Sequence, residues 1–204
     1  MSRSIDYYFS VISPWAFIGH APFLDVARRH GARVNFRPVL LGELFAETGG
    51  LPLAKRHPAR QRYRLLELKR WREARGIDLH VKPAHWPFDP KTADRMVIAA
   101  QIAGHDVGPL TGRLMSGVWQ REENLADPAA LTAVLAELGL PEALLAAAGE
   151  DRTATIYQAN HDDAIEADVF GSPAYVLDGE VFWGQDRIDL LDRALASGRT
   201  PFTP

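Results

Sequence analysis

The chain has 204 residues, 47% of them hydrophobic, with no cysteine and a formal net charge of −3. This length and apolar content suffice for one buried core with room for an insertion. The absence of cysteine excludes dithiol, disulfide and thiolate-metal chemistry, and the small negative charge argues against nucleic acid or an anionic membrane as partner.

Residues 5–11 are apolar and aromatic enough for a first strand, and 14–29 carry the apolar spacing of a helix through Phe17, Ala21, Leu24 and Ala27. Ser13 is the expected N-cap and Pro14 the first helical residue. A helix start offers unpaired N–H groups and the positive end of the dipole. Two readings of Ser13 therefore stand side by side: a plain cap, or a donor to an anion such as a thiolate or carboxylate. Residues 33–40 read as a second strand, and the crossover is long enough for parallel pairing.

From residue 41 to about 168 the pattern is mainly helical, with candidates at 58–76, 92–104, 109–119, 127–138, 141–148 and 151–168. Charge is uneven there. Lys55 to Arg75 holds nine Lys/Arg against two Glu, whereas Arg121 to Asp168 holds eleven Asp/Glu against two Arg. The basic run is either a solvated helix face or a site for small anions. The histidines lack metal-ligand spacing, so no metal is expected. No internal repeat, targeting segment or membrane-length apolar stretch is visible, which makes a cytoplasmic location the expectation.

Strand character returns at 173–177 and 180–183, joined by Asp178-Gly179, a two-residue hairpin signal, and a last helix is expected over 187–196. The sum is β-α-β, a helical block, then β-β-α. This predicts an α/β thioredoxin-like fold: residues 1–41 and 169–204 as the thioredoxin-like domain, and 42–168 as a large all-helical insertion between its halves.

In that fold the first strand-to-helix turn normally carries Cys-Pro-x-Cys, faced by a proline near the start of the third strand. Here Ser13-Pro14-Trp15-Ala16 and Gly171-Ser172-Pro173 occupy those places. Together with Phe9-Ser10-Val11-Ile12, Phe170 and the run Asp178-Gly179-Glu180-Val181-Phe182-Trp183-Gly184-Gln185-Asp186-Arg187, they make nearly the whole chain resemble the 2-hydroxychromene-2-carboxylate isomerase family. The kappa-class glutathione transferases are closely similar.

The resemblance implies a glutathione cofactor with Ser13 against its sulfur, holding it as thiolate, and a Ser13 that is the catalytic residue. The physics agrees, because a helix N-terminus and a donor hydroxyl both lower a thiol's pKa. It also implies a cis Pro173, a Ser172 that pairs its backbone with the tripeptide, and an Asp186 that binds the γ-glutamyl ammonium beside Gln185. Asp186 can cap the last helix at the same time. Arg60, three residues before Tyr63, stands where the family has a lysine for the glycyl carboxylate, with Lys55 and Arg62 as rivals. Gly50 replaces a family asparagine, and Ser10 a family aspartate.

The implied reaction interconverts 2-hydroxychromene-2-carboxylate-type hemiketals and their open trans-o-hydroxybenzylidenepyruvate-type forms by reversible thiolate addition. The partner is thus a small aromatic carboxylate, with Trp15, His85 and Trp86 as substrate contacts and Phe88 and Trp183 as further walls. Relatives of this kind tend to be dimers, so a homodimer is expected. Two alternatives accompany this reading: a kappa-type glutathione transferase or peroxidase that consumes glutathione, and a non-catalytic thioredoxin-fold interaction module.

Overall fold

The computed structural model describes residues 3–203. Residues 1, 2 and 204, the extreme ends of the expected thioredoxin-like part, lie outside them.

Four strands form one sheet in the order β2-β1-β3-β4. Strand β1 (Ser4–Phe9) lies between parallel β2 (Arg33–Pro38) and antiparallel β3 (Ala174–Leu177), and β4 (Glu180–Trp183) pairs antiparallel to β3. Helix α1 (Pro14–Arg29) is the crossover between β1 and β2. Between β2 and β3 run α2 (Leu41–Glu47), α3 (Pro58–Arg75), α4 (Lys91–Ile102), α5 (Val107–Trp119), α6 (Pro128–Glu137), α7 (Ala143–Ala148) and α8 (Asp151–Glu166). A 3-10 turn, Gln185–Arg187, leads into α9 (Ile188–Ser197). The β-α-β, helical and β-β-α order is the thioredoxin-like arrangement that the sequence predicts.

Local chemistry sets the boundaries. Ser13 caps α1 with Pro14 at its first position. The hairpin turn puts Asp178 at φ 51° and Gly179 at φ 85°, the left-handed pair that a two-residue primed turn requires. Strand β1 ends two residues earlier than its apolar run suggests, because the N–H of Val11 leaves the ladder and donates to the Asp94 carboxyl at 2.9 Å. Helix α5 begins at Val107 and not at Pro109: the Asp106 side chain accepts from the Gly108 N–H at 3.0 Å, and a proline in the first turn lacks only an N–H that the helix leaves unpaired.

Both faces of the sheet are covered. Ile5, Tyr7, Phe9, Tyr175 and Leu177 join one large core with apolar residues of α1, α4, α5 and α6. Tyr8, Ala174 and Val176 point the other way, into a second cluster with Leu44 of α2 and Ala164 of α8. Among the described residues no helix is long and apolar enough to cross a membrane.

Strand register explains where chemistry can gather. Tyr8 pairs with Arg37 on one side and Ala174 on the other, and Ala174 pairs with Trp183. The end of β1, the end of β2, the start of β3 and the end of β4 therefore share one edge of the sheet. Ser13, Leu40, Ser172-Pro173 and Gly184-Asp186 all emerge there.

Candidate active site

Ser13 sits at that edge, almost fully buried. Its Oγ accepts from the Ala16 N–H at 3.2 Å and donates to the Ser172 carbonyl at 3.1 Å. The Trp15 N–H, in the same first turn, meets no acceptor among the described residues, as expected of a helix start. The Ser172-Pro173 peptide is cis, as expected, and so is Trp86-Pro87, which the sequence reading did not single out. The Pro173 carbonyl accepts from the Gly184 N–H at 2.8 Å, which ties the Gln185–Arg187 turn to the cis proline.

At that turn Gln185 is buried, and its Oε1 accepts from Arg75 Nη2 at 3.3 Å. Asp186 is half exposed and pairs with its neighbour Arg187 at 2.5 Å. Gly184 has φ 97°, and a Cβ there would come within 2.5 Å of Asp186 Oδ1, so only glycine leaves the carboxylate its position. Ser13, Ser172, Pro173, Gln185 and Asp186 thus lie along one edge.

Beside Ser13 opens a cavity of about 700 Å³, lined by Ser13, Trp15 and Ser172 on the sheet side. Phe45, Trp86 and Phe88 add apolar wall, and Tyr157 of α8 also lines it. The segment carrying Trp86 is pinned at two points: its indole Nε1 donates to the Ile12 carbonyl at 3.2 Å, and the Ala84 N–H donates to Glu122 Oε1 at 2.9 Å. Of the expected site residues, Pro173, Gln185 and Asp186 lie along the edge but not in the lining, and Arg60 and His85, both exposed, also stand outside it. Trp183 also stands outside it, its ring tilted at 57° against Phe170 with centroids 4.7 Å apart.

Two features escaped the sequence reading. Arg56 and Arg64 are the arginines that line the cavity. Arg64 belongs to an inward stripe of α3, Gln61-Arg64-Leu68-Trp71-Arg75, at alternating three- and four-residue spacing around buried Leu68. That stripe is the signal that would have singled it out. The other feature is Asp94, fully buried on α4 directly behind the Ser10–Ser13 turn. It accepts from Ser10 Oγ at 2.7 Å and the Val11 N–H at 2.9 Å, and its Oδ2 lies 2.8 Å from Tyr157 Oη.

Burial pushes the Asp94 carboxyl up to about 7, against the opposing pull of those hydrogen bonds. Tyr157 has one proton but two neighbouring acceptors, Asp94 and the Val39 carbonyl at 3.0 Å. Protonated Asp94 resolves this by donating to the tyrosine oxygen while the tyrosine donates to Val39. Ser10, read from sequence as the loss of a family aspartate, is therefore in contact with a carboxylate supplied by another helix. Among the described residues no cluster of His, Asp and Glu has the makings of a metal site.

The family model of the DSBA-like thioredoxin domain matches residues 4–196. A 2-hydroxychromene-2-carboxylate isomerase of Sphingobium xenophagum is 26% identical over 202 residues, covering 96% of this chain and 99% of the relative. Glutathione S-transferase kappa 1 of Caenorhabditis elegans is 25% identical over 200 residues, with 92% and 88% covered. Among solved structures, a 2-hydroxychromene-2-carboxylate isomerase superposes with a TM-score of 0.83 at 22% identity, covering 95% of both chains, which is a likeness of fold.

Proposed function

The chain belongs to the DSBA-like thioredoxin-domain family, and from that premise we propose that it is a glutathione-dependent isomerase of the 2-hydroxychromene-2-carboxylate type. Its substrate is a small aromatic carboxylate. The observation that carries this reading is a buried serine, Ser13, at the helix start where this fold keeps a cysteine, beside a cavity of about 700 Å³.

Glutathione fits the donor set. A thiolate suits the Ser13 hydroxyl and the free N–H at the helix start, a peptide backbone suits Ser172 ahead of Pro173, and an ammonium suits Asp186 beside Gln185. Arg60 remains the residue assigned to the glycyl carboxylate, and its exposure suits the carboxyl end of a tripeptide that reaches the surface. Bound there, glutathione supplies a nucleophilic sulfur whose reversible addition to a conjugated carbon lets a double bond rotate. The chain's own part is to hold that sulfur ionised and to keep a flat acid beside it. Ser13 donates its proton towards the anion, and Trp15 and Trp86 confine the ring and exclude water.

The match to a kappa-class glutathione transferase gives a second reading, in which glutathione is consumed. Calorimetry with glutathione, followed by turnover of a chromene acid with the free thiol assayed before and after, separates the two. The isomerase reading expects full recovery of thiol. Stoichiometric loss of thiol supports the transferase, and no glutathione binding overturns both and leaves an interaction module.

A further inference from the structure

Arg64 is a half-buried guanidinium without a carboxylate partner among the described residues. It lies over the Trp86 ring, 5.0 Å from guanidinium carbon to ring centroid, in the wall of the cavity beside Ser13. Burial and the like charge of Arg56 both act on it, lowering it to about 10, and no acid offsets them. Arg56 is in a similar position: its Nε donates to the Leu51 carbonyl at 2.6 Å, and its guanidinium lies 5.5 Å from the centre of the Phe45 ring. The remaining charges of the lining are Lys91 against Glu43 and Asp89, and Asp89 already accepts from the Lys91 N–H at 3.0 Å ahead of α4. The cavity therefore carries a surplus cation at its Arg64 wall.

Removing a guanidinium from water without an anion is costly, and a planar fork held over an indole is preorganised for a carboxylate. We infer that Arg64, supported by Arg56, is the specificity-determining residue of the cavity and receives the carboxylate of a flat, unsaturated aryl acid whose ring stacks among Trp86, Trp15 and Phe88. The inference rests on the isomerase reading for its substrate class, but its geometry concerns the Arg64 wall of the cavity and not the Ser13 hydroxyl. Arg60, one turn earlier on α3, is outside the lining and has no part in it.

The glycyl carboxylate of the tripeptide offers the same chemistry, and the test separates the two sources. Binding of trans-cinnamate and of its uncharged isostere trans-cinnamamide is measured by calorimetry, without glutathione, on the native protein and on Arg64→Gln and Arg64→Lys. Glutathione affinity is measured on the same proteins. The native protein is expected to prefer the acid by about tenfold or more, the strength of one charge-assisted contact. Arg64→Gln loses that preference with amide affinity unchanged, which also certifies an intact cavity, and Arg64→Lys keeps part of it.

Equal binding of acid and amide by the native protein overturns the inference, as does a preference that survives Arg64→Gln. Weakened glutathione with unchanged cinnamate assigns Arg64 to the tripeptide and overturns it too. A protein that shows the Arg64-dependent preference but binds no glutathione keeps this inference and loses the isomerase reading.

Discussion

The hydroxyl of Ser13 donates to the carbonyl of Ser172 at 3.1 Å, so two groups assigned to the tripeptide hold each other. For Ser13 to donate to a sulfur anion its proton must rotate away, and that same rotation frees the Ser172 carbonyl for a peptide N–H. Ser13 is thereby placed to exchange a neutral acceptor for a charged one.

Ser13→Ala tests this directly. The substitution removes the cap that Ala16 donates to, at a cost of about 1 kcal/mol, which lowers Tm by roughly 2–4 °C in a chain of this size. On the proposed reading glutathione is expected still to bind, because the substitution leaves Ser172 and Asp186 untouched. The bound thiol titrates at higher pH, and turnover falls by about ten- to a hundredfold, the worth of one hydrogen bond to a charged group. Ultraviolet titration of the bound thiolate checks the first effect and kcat the second. Unchanged values in both would remove Ser13 from the chemistry.

Asp94 gives a pH dependence with a definite sign. Its carboxyl rises from 3.8 to about 7 on burial. Between those values the folded chain keeps a proton that the unfolded chain has released, so this contribution is full below about pH 4 and is lost as pH rises towards 7. The slope reaches at most about 1.4 kcal/mol per pH unit. Asp94→Asn keeps an acceptor for the Val11 N–H and offers an N–H to the Tyr157 oxygen. The variant is expected to lose the fall in stability between acidic and neutral pH. Urea unfolding at about pH 5 and about pH 8 decides it, and parallel behaviour of the two proteins would refute the assignment.

What could be read from the sequence followed the range of the interaction. The Ser13-Pro14 cap and the Asp178-Gly179 turn depend on neighbours within four residues, and both were legible. So was the division of strands between the two ends of the chain. Asp94 was not: its partners Ser10 and Tyr157 are 84 and 63 residues away, and alone it reads as an acidic residue in a first helical turn. Arg64 was visible only as one of nine cations in a run. Helix phase turns it inward with Leu68 while Arg60 and Arg62 stay exposed, and a long charged side chain masks an apolar stripe.

Gly19 controls how closely α1 approaches the turn that carries Asp186. A Cβ at Gly19 would lie 2.8 Å from Gln185 Cβ and 2.8 Å from Tyr175 Oη. Gly19→Ala gains about 0.5–1 kcal/mol of helix preference and loses about 1–3 kcal/mol to overpacking. The expected net is a destabilisation on the order of 1 kcal/mol, with Gln185 displaced. Thermal unfolding reads the first effect. Glutathione affinity reads the second, and it should weaken although Ser13 is untouched; an unshifted affinity would separate the Gln185 turn from ligand binding.

Asp186 carries the last prediction. Its partner in the structure is Arg187, a half-exposed pair of the kind that contributes little to stability. On the proposed reading an incoming ammonium competes with a weak contact, and the carboxylate keeps its position because residue 184 is glycine, where a Cβ would lie 2.5 Å from Asp186 Oδ1. Asp186→Asn is expected to weaken glutathione by about tenfold while leaving N-acetylglutathione, which lacks the ammonium, unchanged. Arg187→Gln, which frees the carboxylate, should tighten glutathione by a smaller factor. Calorimetry on the four combinations of Asp186 variant and peptide isolates the charge pair from any disturbance of α9. Equal losses for the two peptides would mean that Asp186 supports the turn and does not touch the ammonium.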